Sequence, residues 1–496
     1  MAVMLLFSAL SFAQVGNLDS SFGTNGIHNG INIMELCMGN KLTQLSDGKI
    51  VVVSGASSNN PYPLNNGAIV TVDNTGNLLF NAIFTLAVES SFTDLAKDAN
   101  DKIITVGPSS NGLSSSEEVL IARYNSNCLL DTSFNGTGYI YSYNTTQDES
   151  FHSVAIQNDG KILVGGYIDT NFVVCRYNSN GQIDNSFGNS GIATLFSNNY
   201  FDKKINDIHI ASDGNIFVAG GYLVFGGAGG FVAKINSSGV LDNNFNTDGI
   251  YHYNMPNSVT LNFVKLLGSG KILCAGMDNG NALVIELESN GTLSSTFGTG
   301  GILTNNFNSS ESWYDAVQLS NGKIILGGKI GDDGALAAIN SDGTIDNPFG
   351  VIGVRSYNLS NQPAPEEGDV ILGLYLDVDG NILTTGYQNF FSQSGDSYGR
   401  YFISKHLFSG ASAIVSTEKN IGFSVYPNPV AGDINIRFQK SVSAEIRVSD
   451  NLGRLIQIVE VNGDNFSIDL SDFLSGIYIL QIICDQKIET INFVKK

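Results

Sequence analysis

Residues 184–192 read DNSFGNSGI, and close variants return along the chain: DSSFGTNGI from Asp19, DTSFNGTGYI from Asp131, DNNFNTDGI from Asp242 and DNPFGVIGV from Asp346. Ser294 opens a copy with Ser for Asp, SSTFG, and near Phe80 the string has decayed to GNLLFNAIF. A site for chemistry is seldom needed this often in one chain, whereas a structural joint is. The Asp side chain is expected to accept backbone N–H groups in a turn, the Phe to tuck between units, and the Gly to allow a sharp return. A calcium loop in every unit is the functional alternative. Such loops want several carboxylates at close spacing plus a bidentate Glu, and this joint offers one, replaced once by Ser294.

A second string fixes the unit. SDGKIVVVSG at Ser46 recurs as ANDKIITVGP at Ala99, NDGKILVGGY at Asn158, SDGNIFVAGG at Ser212, GSGKILCAGM at Gly268, SNGKIILGGK at Ser320 and VDGNILTTGY at Val378, with anchors 52 to 59 residues apart. Each copy reads as strand, D-G or N-G turn, apolar strand, variable connection, third strand such as NFVVCRY, NSNG-type turn, joint, and fourth strand such as GIATLFS. D-G and N-G turns take positive φ cheaply and join antiparallel strands. Four-stranded units of this length are propeller blades, which bury both faces against neighbours. A linear β-solenoid has shorter coils and no need of two hairpin turns per repeat. The prediction is an all-β chain with a seven-bladed β-propeller at 14–410. The N-terminus supplies only a joint and a fourth strand, while the seventh copy stops after its third near YFISKHLFSG. Residues around Ile27 to Ile33 are therefore expected to complete blade seven and remove the open edge.

The composition agrees. Of 496 residues 56 are Gly and 14% are charged, with a net charge of −21. So acidic a surface repels nucleic acid. The five cysteines, Cys37, Cys128, Cys175, Cys274 and Cys484, form no CxxC or Cys/His cluster. No metal, cofactor or disulfide is expected, and Cys175 and Cys274 read as buried free thiols. His28, His152, His209, His252 and His406 share no motif, and no G-x-S-x-G elbow or H-E-x-x-H stands out. No catalytic residue is assigned. FGGAGG at 225–230 joins two strands rather than opening a helix, so it reads as a flexible inter-strand loop, not a phosphate cradle.

MAVMLLFSALSFAQ at the start reads as a signal peptide at 1–13, too short to span a bilayer. Ser11 and Ala13 fit cleavage before Gln14, while the basic n-region is missing, since no Lys or Arg precedes Lys41. That leaves the true translation start open. No later run is long and apolar enough for a transmembrane segment.

After Gly410 the blade grammar ends. Residues 411–420 read as a linker. From 421 to 496 come FSVYPNPVAGDINIRF, AEIRVSDNLGRLI, FSIDLSDFLSGIYILQI and ETINFVKK. Ile434, Ile436 and Phe438 alternate with polar residues, as do Ile446 and Val448, the period of half-buried strands. About seven short strands in a small Ig-like β-sandwich are expected.

The repeat, NSNGxhDxSFGxxGh followed by DGKIhhhG, resembles the delta-60 repeat family of exported bacterial proteins over roughly Asn17 to Gly410. That resemblance implies a propeller-like fold and no general catalytic assignment. The C-terminal module resembles the type IX secretion system sorting domain, through YPNP (Tyr426, Pro427, Asn428, Pro429), DNLGR with Gly453, LSGIYIL with Gly476, and the terminal FVKK. It implies a partner in the secretion machinery, passage through the outer membrane of a Gram-negative bacterium, removal of the domain, and a secreted or surface-held product.

Ligand recognition is sought on loops held by a rigid scaffold. Turns after strands one and three share one face of the ring. Longer connections share the other and carry Tyr62, Tyr200, Trp313, Tyr314, Phe390, Phe391 and Tyr398, rings suited to stacking on sugars or anchoring proteins. Three functions fit: a surface binding or adhesion propeller for an extracellular glycan or protein, an enzyme on extracellular polysaccharide, and a structural component without a discrete ligand. The first is favoured.

Overall fold

The computed structural model describes residues 15–30, 36–57, 66–84, 89–110, 118–141, 148–197, 201–224, 227–255, 259–305, 310–350, 353–357, 359, 368–391, 397–408, 423–426, 430, 432–450, 455–471, 473, 476–484 and 487–495. The signal-peptide residues 1–13 and the linker 411–420 lie outside them. Every described regular element is a β-strand. The chain forms two compact units, one spanning Gln14–Phe408 and the other drawing its described residues from Ser409–Lys496.

Blade three shows the unit. Strands Glu149–Ile156, Ile162–Ile168, Asn171–Tyr177 and Ile192–Ser197 pair antiparallel in that order. Gly160 turns the first hairpin at φ +82°. Blades four, five and six repeat the order. Blade two does so with its first strand split into Glu89–Ser90 and Asp94–Lys97. Third strands such as Glu118–Tyr124 are buried at every residue, because each blade is covered on both faces. First strands touch in succession from Leu36–Gln44 through Asp94–Lys97 to Asp369–Leu376, which returns to Leu36–Gln44. The ring is closed. Described first strands in six blades carry a bulge, skipping Asn40, His152, Asn206, Asn262, Tyr314 and Leu372.

The joint is a staple between blades. Asp184 Oδ1 accepts Ser186 N–H (3.1 Å) and Oγ–H (2.7 Å), while Oδ2 takes Arg176 at 2.8 Å and Lys161, from the DGK turn, at 3.2 Å. Phe187 is fully buried under the Arg176 guanidinium, 4.5 Å from its ring centre. Gly188 N–H then bonds Ser238 O of the next blade (2.7 Å). A Cβ on Gly239, φ +84°, would lie 3.0 Å from the Phe187 ring. Phe22, Phe134, Phe245, Phe297 and Phe349 meet Gly76, Gly181, Gly291, Gly343 and Gly16 in the same way. Where the joint has decayed, in blade one, the receiving glycine is gone too. Cys128 occupies that position at φ +61°, buried, with its Sγ 3.0 Å from Thr71 Oγ1. In blade five the acid has moved: Lys271 reaches Ser294 Oγ at 2.8 Å and takes its charge partner from Glu286 at 2.9 Å.

Closure follows the expectation. Ile27–Asn29 pairs antiparallel with Ser397–His406, Ile27 opposite Ser404 and Asn29 opposite Phe402. The break in the chain falls inside a turn. Gly16 N–H bonds Leu407 O (2.7 Å) and Leu407 N–H bonds Asn17 O (2.8 Å), the same two bonds that Gly181, Asn178 and Gln182 make within continuous chain.

Three expectations are corrected. The connection after strand two is only two residues in blades three, five and six, at Asp169, Asn279 and Gly331, where positive φ allows a tight turn. Of the 225–230 stretch, residues 225 and 226 lie outside the described residues, and Gly227, Gly229 and Gly230 are not a loose loop. Gly227–Ile235 is a strand paired up to Val224, and Gly229 has no room for a Cβ because Tyr222 lies over it. The C-terminal unit has five described strands rather than seven short ones. Asp433–Asp450 and Leu455–Asp469 are long, and a register break between Arg437 and Val442 divides the first. Ile434, Ile436, Ile446 and Val448 fill one core with Leu480, Ile482 and Phe493.

Deleting residues 17–29 removes both the closing strand and half of the split turn. The ring is then expected to lose cooperativity and melt many degrees lower. Calorimetry on the shortened chain checks this, and an unchanged melt would show that closure adds nothing.

Candidate functional site

The residue after each bulge is aimed by the bulge itself, since an extra residue in one strand re-orients the next side chain. In blades four and six it is Asp207 and Asp315; in blade two Asp94 opens the second piece of the split first strand, and all three are buried. Each carboxylate accepts an amide N–H from the next blade: Val154 (2.8 Å), Val264 (2.9 Å) and Leu374 (3.1 Å). Bulge side chains add a second set of links. Asn40 donates to Phe92 O (2.6 Å), Asn206 to Leu261 O (2.8 Å) and Asn262 to Trp313 O (2.8 Å). The inner strands are thus stitched by polar groups.

Charge here is balanced internally. Lys41 Nζ reaches across to Asp315 at 2.9 Å, and Lys265 meets the other Asp315 oxygen at 3.2 Å. Burial pushes the Asp315 carboxyl up, but Lys265 and Lys41 outweigh it and hold it at about 2. Burial pulls Lys41 down, and Asp315, Asp207 and Asp94 together raise it well above the usual range. Asp94 is pushed up to about 7 by burial, against the pull of Lys41. Among the described residues no group of three or more His, Cys, Asp or Glu is placed to hold a metal ion.

On the connection face, between blades four and five, lies a cavity of about 340 Å³. Asp202, Lys204, Asn206, Tyr222, Thr260 and Asn262 line it. Asp202 sits at φ +43°, inside a register shift between Phe201 and Lys204. A non-glycine residue in the left-handed region is a strained conformation that surroundings must hold. Its carboxylate pairs with Lys204 at 3.2 Å, both side chains about half exposed. The neighbouring Lys203 lies over the Tyr167 ring, 4.8 Å from its centre, which anchors the bulge to blade three. The Tyr222 ring is 5% exposed and packs over Gly229 with Phe172, Phe196 and Phe231 on the blade-three side of its strand, with its hydroxyl 3.4 Å from His252 Nδ1.

Of the sequence-predicted rings, the side chains described are those of Trp313 and Tyr314. Trp313 is corrected outright. It is the third residue of strand Glu311–Gln318, 1% exposed, packed with Phe263, Phe297 and Ala335 between blades five and six. Tyr314 is the half-buried bulge residue beside it. Phe390 and Tyr398 stand in paired strands, opposite each other in register, and Phe391 ends the first. Tyr62 and Tyr200 lie outside the described residues. Of the sorting motif, Tyr426 ends strand Phe423–Tyr426 and is 44% exposed, and Gly476 begins Gly476–Cys484. Pro427, Asn428, Pro429 and Gly453 lie outside the described residues. Sequence reasoning missed Asp202, Lys204, Asn206, Thr260 and Asn262. Aligning the first strands on the residue before Asp94, Asp207 and Asp315 would have found the Asn206 and Asn262 positions.

Residues 424–496 match a secretion system C-terminal sorting domain. Residues 99–134, 157–187, 211–245 and 319–349 match a domain of unknown function (DUF5122) beta-propeller. No curated protein matches. Among solved structures, a NanB sialidase from Streptococcus pneumoniae is 12% identical, covering 79% of this chain and 70% of that one, TM-score 0.41. An α-L-arabinanase from Penicillium chrysogenum, complexed with arabinobiose, is 11% identical over 79% and 97%, TM-score 0.40. Drosophila Plexin A in complex with Semaphorin 1b is 10% identical over 78% and 88%, TM-score 0.38. Likeness at this level transfers no ligand and no chemistry. The chain is a β-propeller with a type IX secretion sorting tail, and the tail directs it to the cell surface or the extracellular space.

Two outcomes are expected. Asp315→Ala strands two lysines and the Leu374 N–H, and should cost about 3–5 kcal/mol. A depressed carboxyl contributes stability that is full above its unfolded value near 4 and is lost as pH falls towards 2. Chemical denaturation should therefore show the gap between wild type and variant narrowing from pH 4 to pH 2, and a constant gap would overturn the assignment. Removing residues 421–496 should leave the propeller folded but hold it in the periplasm, as cell fractionation and surface labelling would report.

Proposed function

We propose that this exported propeller is a binding protein whose ligand, an extracellular glycan, is seated in the cavity between blades four and five. The observation that carries the reading is Asp202, a strained residue paired with Lys204 in the lining of a cavity to which Asn206, Thr260 and Asn262 also contribute. Such a mixture of donors and acceptors suits a hydroxyl-rich ligand, and pockets of a few hundred Å³ suit small ligands of that kind. Secretion or surface display puts the cavity where such ligands are met.

A second reading, an enzyme on extracellular polysaccharide, rests on Asp94, whose carboxyl is pushed up to about 7 by burial, near the value wanted of a general acid. Against it, Asp94 already accepts N–H groups from both Leu95 and Val154 at 2.8 Å. A structural surface component without a discrete ligand is the third.

Glycan-array and polysaccharide pull-down with the full chain separates them. Binding without release of reducing ends supports the first reading. Lys204→Ala and Asp202→Ala should then weaken it about tenfold, equivalent to 1.4 kcal/mol, with melting almost unchanged because both side chains are half exposed. Loss of polysaccharide chain length abolished by Asp94→Asn would favour the enzyme.

A further inference from the structure

We infer that a second cavity, at the hairpin-turn end of the first strands, is a binding site for a small monocarboxylate with an apolar tail. This goes beyond the glycan reading and does not depend on it. The cavity has a volume of about 360 Å³ and lies where the first strands of blades five, six and seven approach their hairpin turns. That is within the usual range for small-molecule pockets.

Its walls are Leu266, Val317, Leu374 and Leu376, with Leu273 and Ile324 from the second strands of blades five and six. Leu266, Val317 and Leu376 are only partly buried, although the chain had every opportunity to place polar residues at these strand ends. Partly buried apolar side chains around a concave space with a few polar groups at its edge are the make-up of a small-molecule pocket.

Four polar residues line it: Lys265, His209, Tyr375 and Gln318, the last already engaged with the Gly268 N–H at 2.9 Å and Gly322 O at 3.4 Å. Among the described residues neither His209 nor Tyr375 has a hydrogen-bond partner for its side chain. Lys265 Nζ is held by one Asp315 oxygen at 3.2 Å, which leaves it further N–H donors. That same Asp315 is shared with Lys41 at 2.9 Å, so it does not neutralise both lysines alone. Asp207, two residues before His209, is committed to the Val264 amide. Burial, then the Lys265 ammonium, lowers the His209 pKa against the pull of Asp207, so the ring is a neutral N–H donor at pH 7. One ammonium, one imidazole N–H and one phenol O–H provide donors for the two oxygens of a carboxylate. An amine would meet Lys265 as a like charge, and a sugar would leave the leucine walls unmatched.

Isothermal titration calorimetry on the full chain with octanoate, and with octanamide as its neutral isostere, tests the assignment. Octanoate is expected to bind once per chain and at least tenfold more tightly than octanamide. Lys265→Met should remove that preference while the fold survives, because Asp315 keeps Lys41 and the Leu374 N–H. Val317→Phe, which fills the cavity from its apolar side, should abolish binding of both probes, and Lys204→Ala in the other cavity should change neither. Absence of octanoate binding, or equal affinity for octanoate and octanamide, overturns the proposal.

Discussion

A phenylalanine lying against a glycine of the next blade is the contact on which the ring depends. Phe187 needs Gly239 to have no side chain, and Gly239 needs positive φ to turn the chain there. One residue type therefore answers a steric and a conformational demand together. The joint Asp sits above that contact and collects charges from the same blade: Arg176 from strand three and Lys161 from the first hairpin, with Arg176 also reaching Ser237 O in the next blade. Apolar contact, backbone hydrogen bond and the Arg176–Ser237 bond thus join the blade to its successor at one point, while the ion pair within the blade holds Arg176 in place. The two exceptions obey the same logic. Losing the phenylalanine in blade one goes with filling the space by Cys128, and losing the acid at Ser294 goes with regaining it at Glu286.

This regularity is why the architecture was legible in the sequence. Strings with positive-φ glycines at fixed offsets admit few backbones, and the missing fourth strand of blade seven identified its own replacement. The functional residues were less legible, for a physical reason. SSESWYD around Trp313 reads as a polar loop, yet Glu311 and Ser312 are fully buried strand residues. Innermost strands have polar residues that bond across blades, as Asn262 does to Ser312 Oγ at 3.2 Å. Polarity there reports an inter-blade link rather than exposure. Gly229 and Gly230 misled in the opposite sense: absence of side chains looked like slack, and is close packing under Tyr222 and against Leu261.

The inner strands also show how a strongly acidic protein manages charge in its interior. Asp94, Asp207 and Asp315 are spaced on alternate blades, so each can cap an amide of the next blade without abutting another carboxylate there. Lys41 extends into the set from blade one, and Gly373 of the intervening blade seven has no side chain to obstruct it. Removing any one of these groups leaves the others uncompensated in a buried place, and the penalty for that exceeds what the pair contributes when intact.

The split turn has a kinetic meaning. Gly16 and His406 come within hydrogen-bonding range although 390 positions separate them in the chain. Contacts so distant in sequence are the slowest to form, because loop-closure entropy precedes any reward. The first strand emerges early and has no partner until the last blade is made, so six blades assemble beside an unpaired ribbon. Ring completion is then a single late event. It converts a stack that frays at both ends into a circle without ends, whose opening must break a strand pairing, a turn and a Phe349–Gly16 contact together.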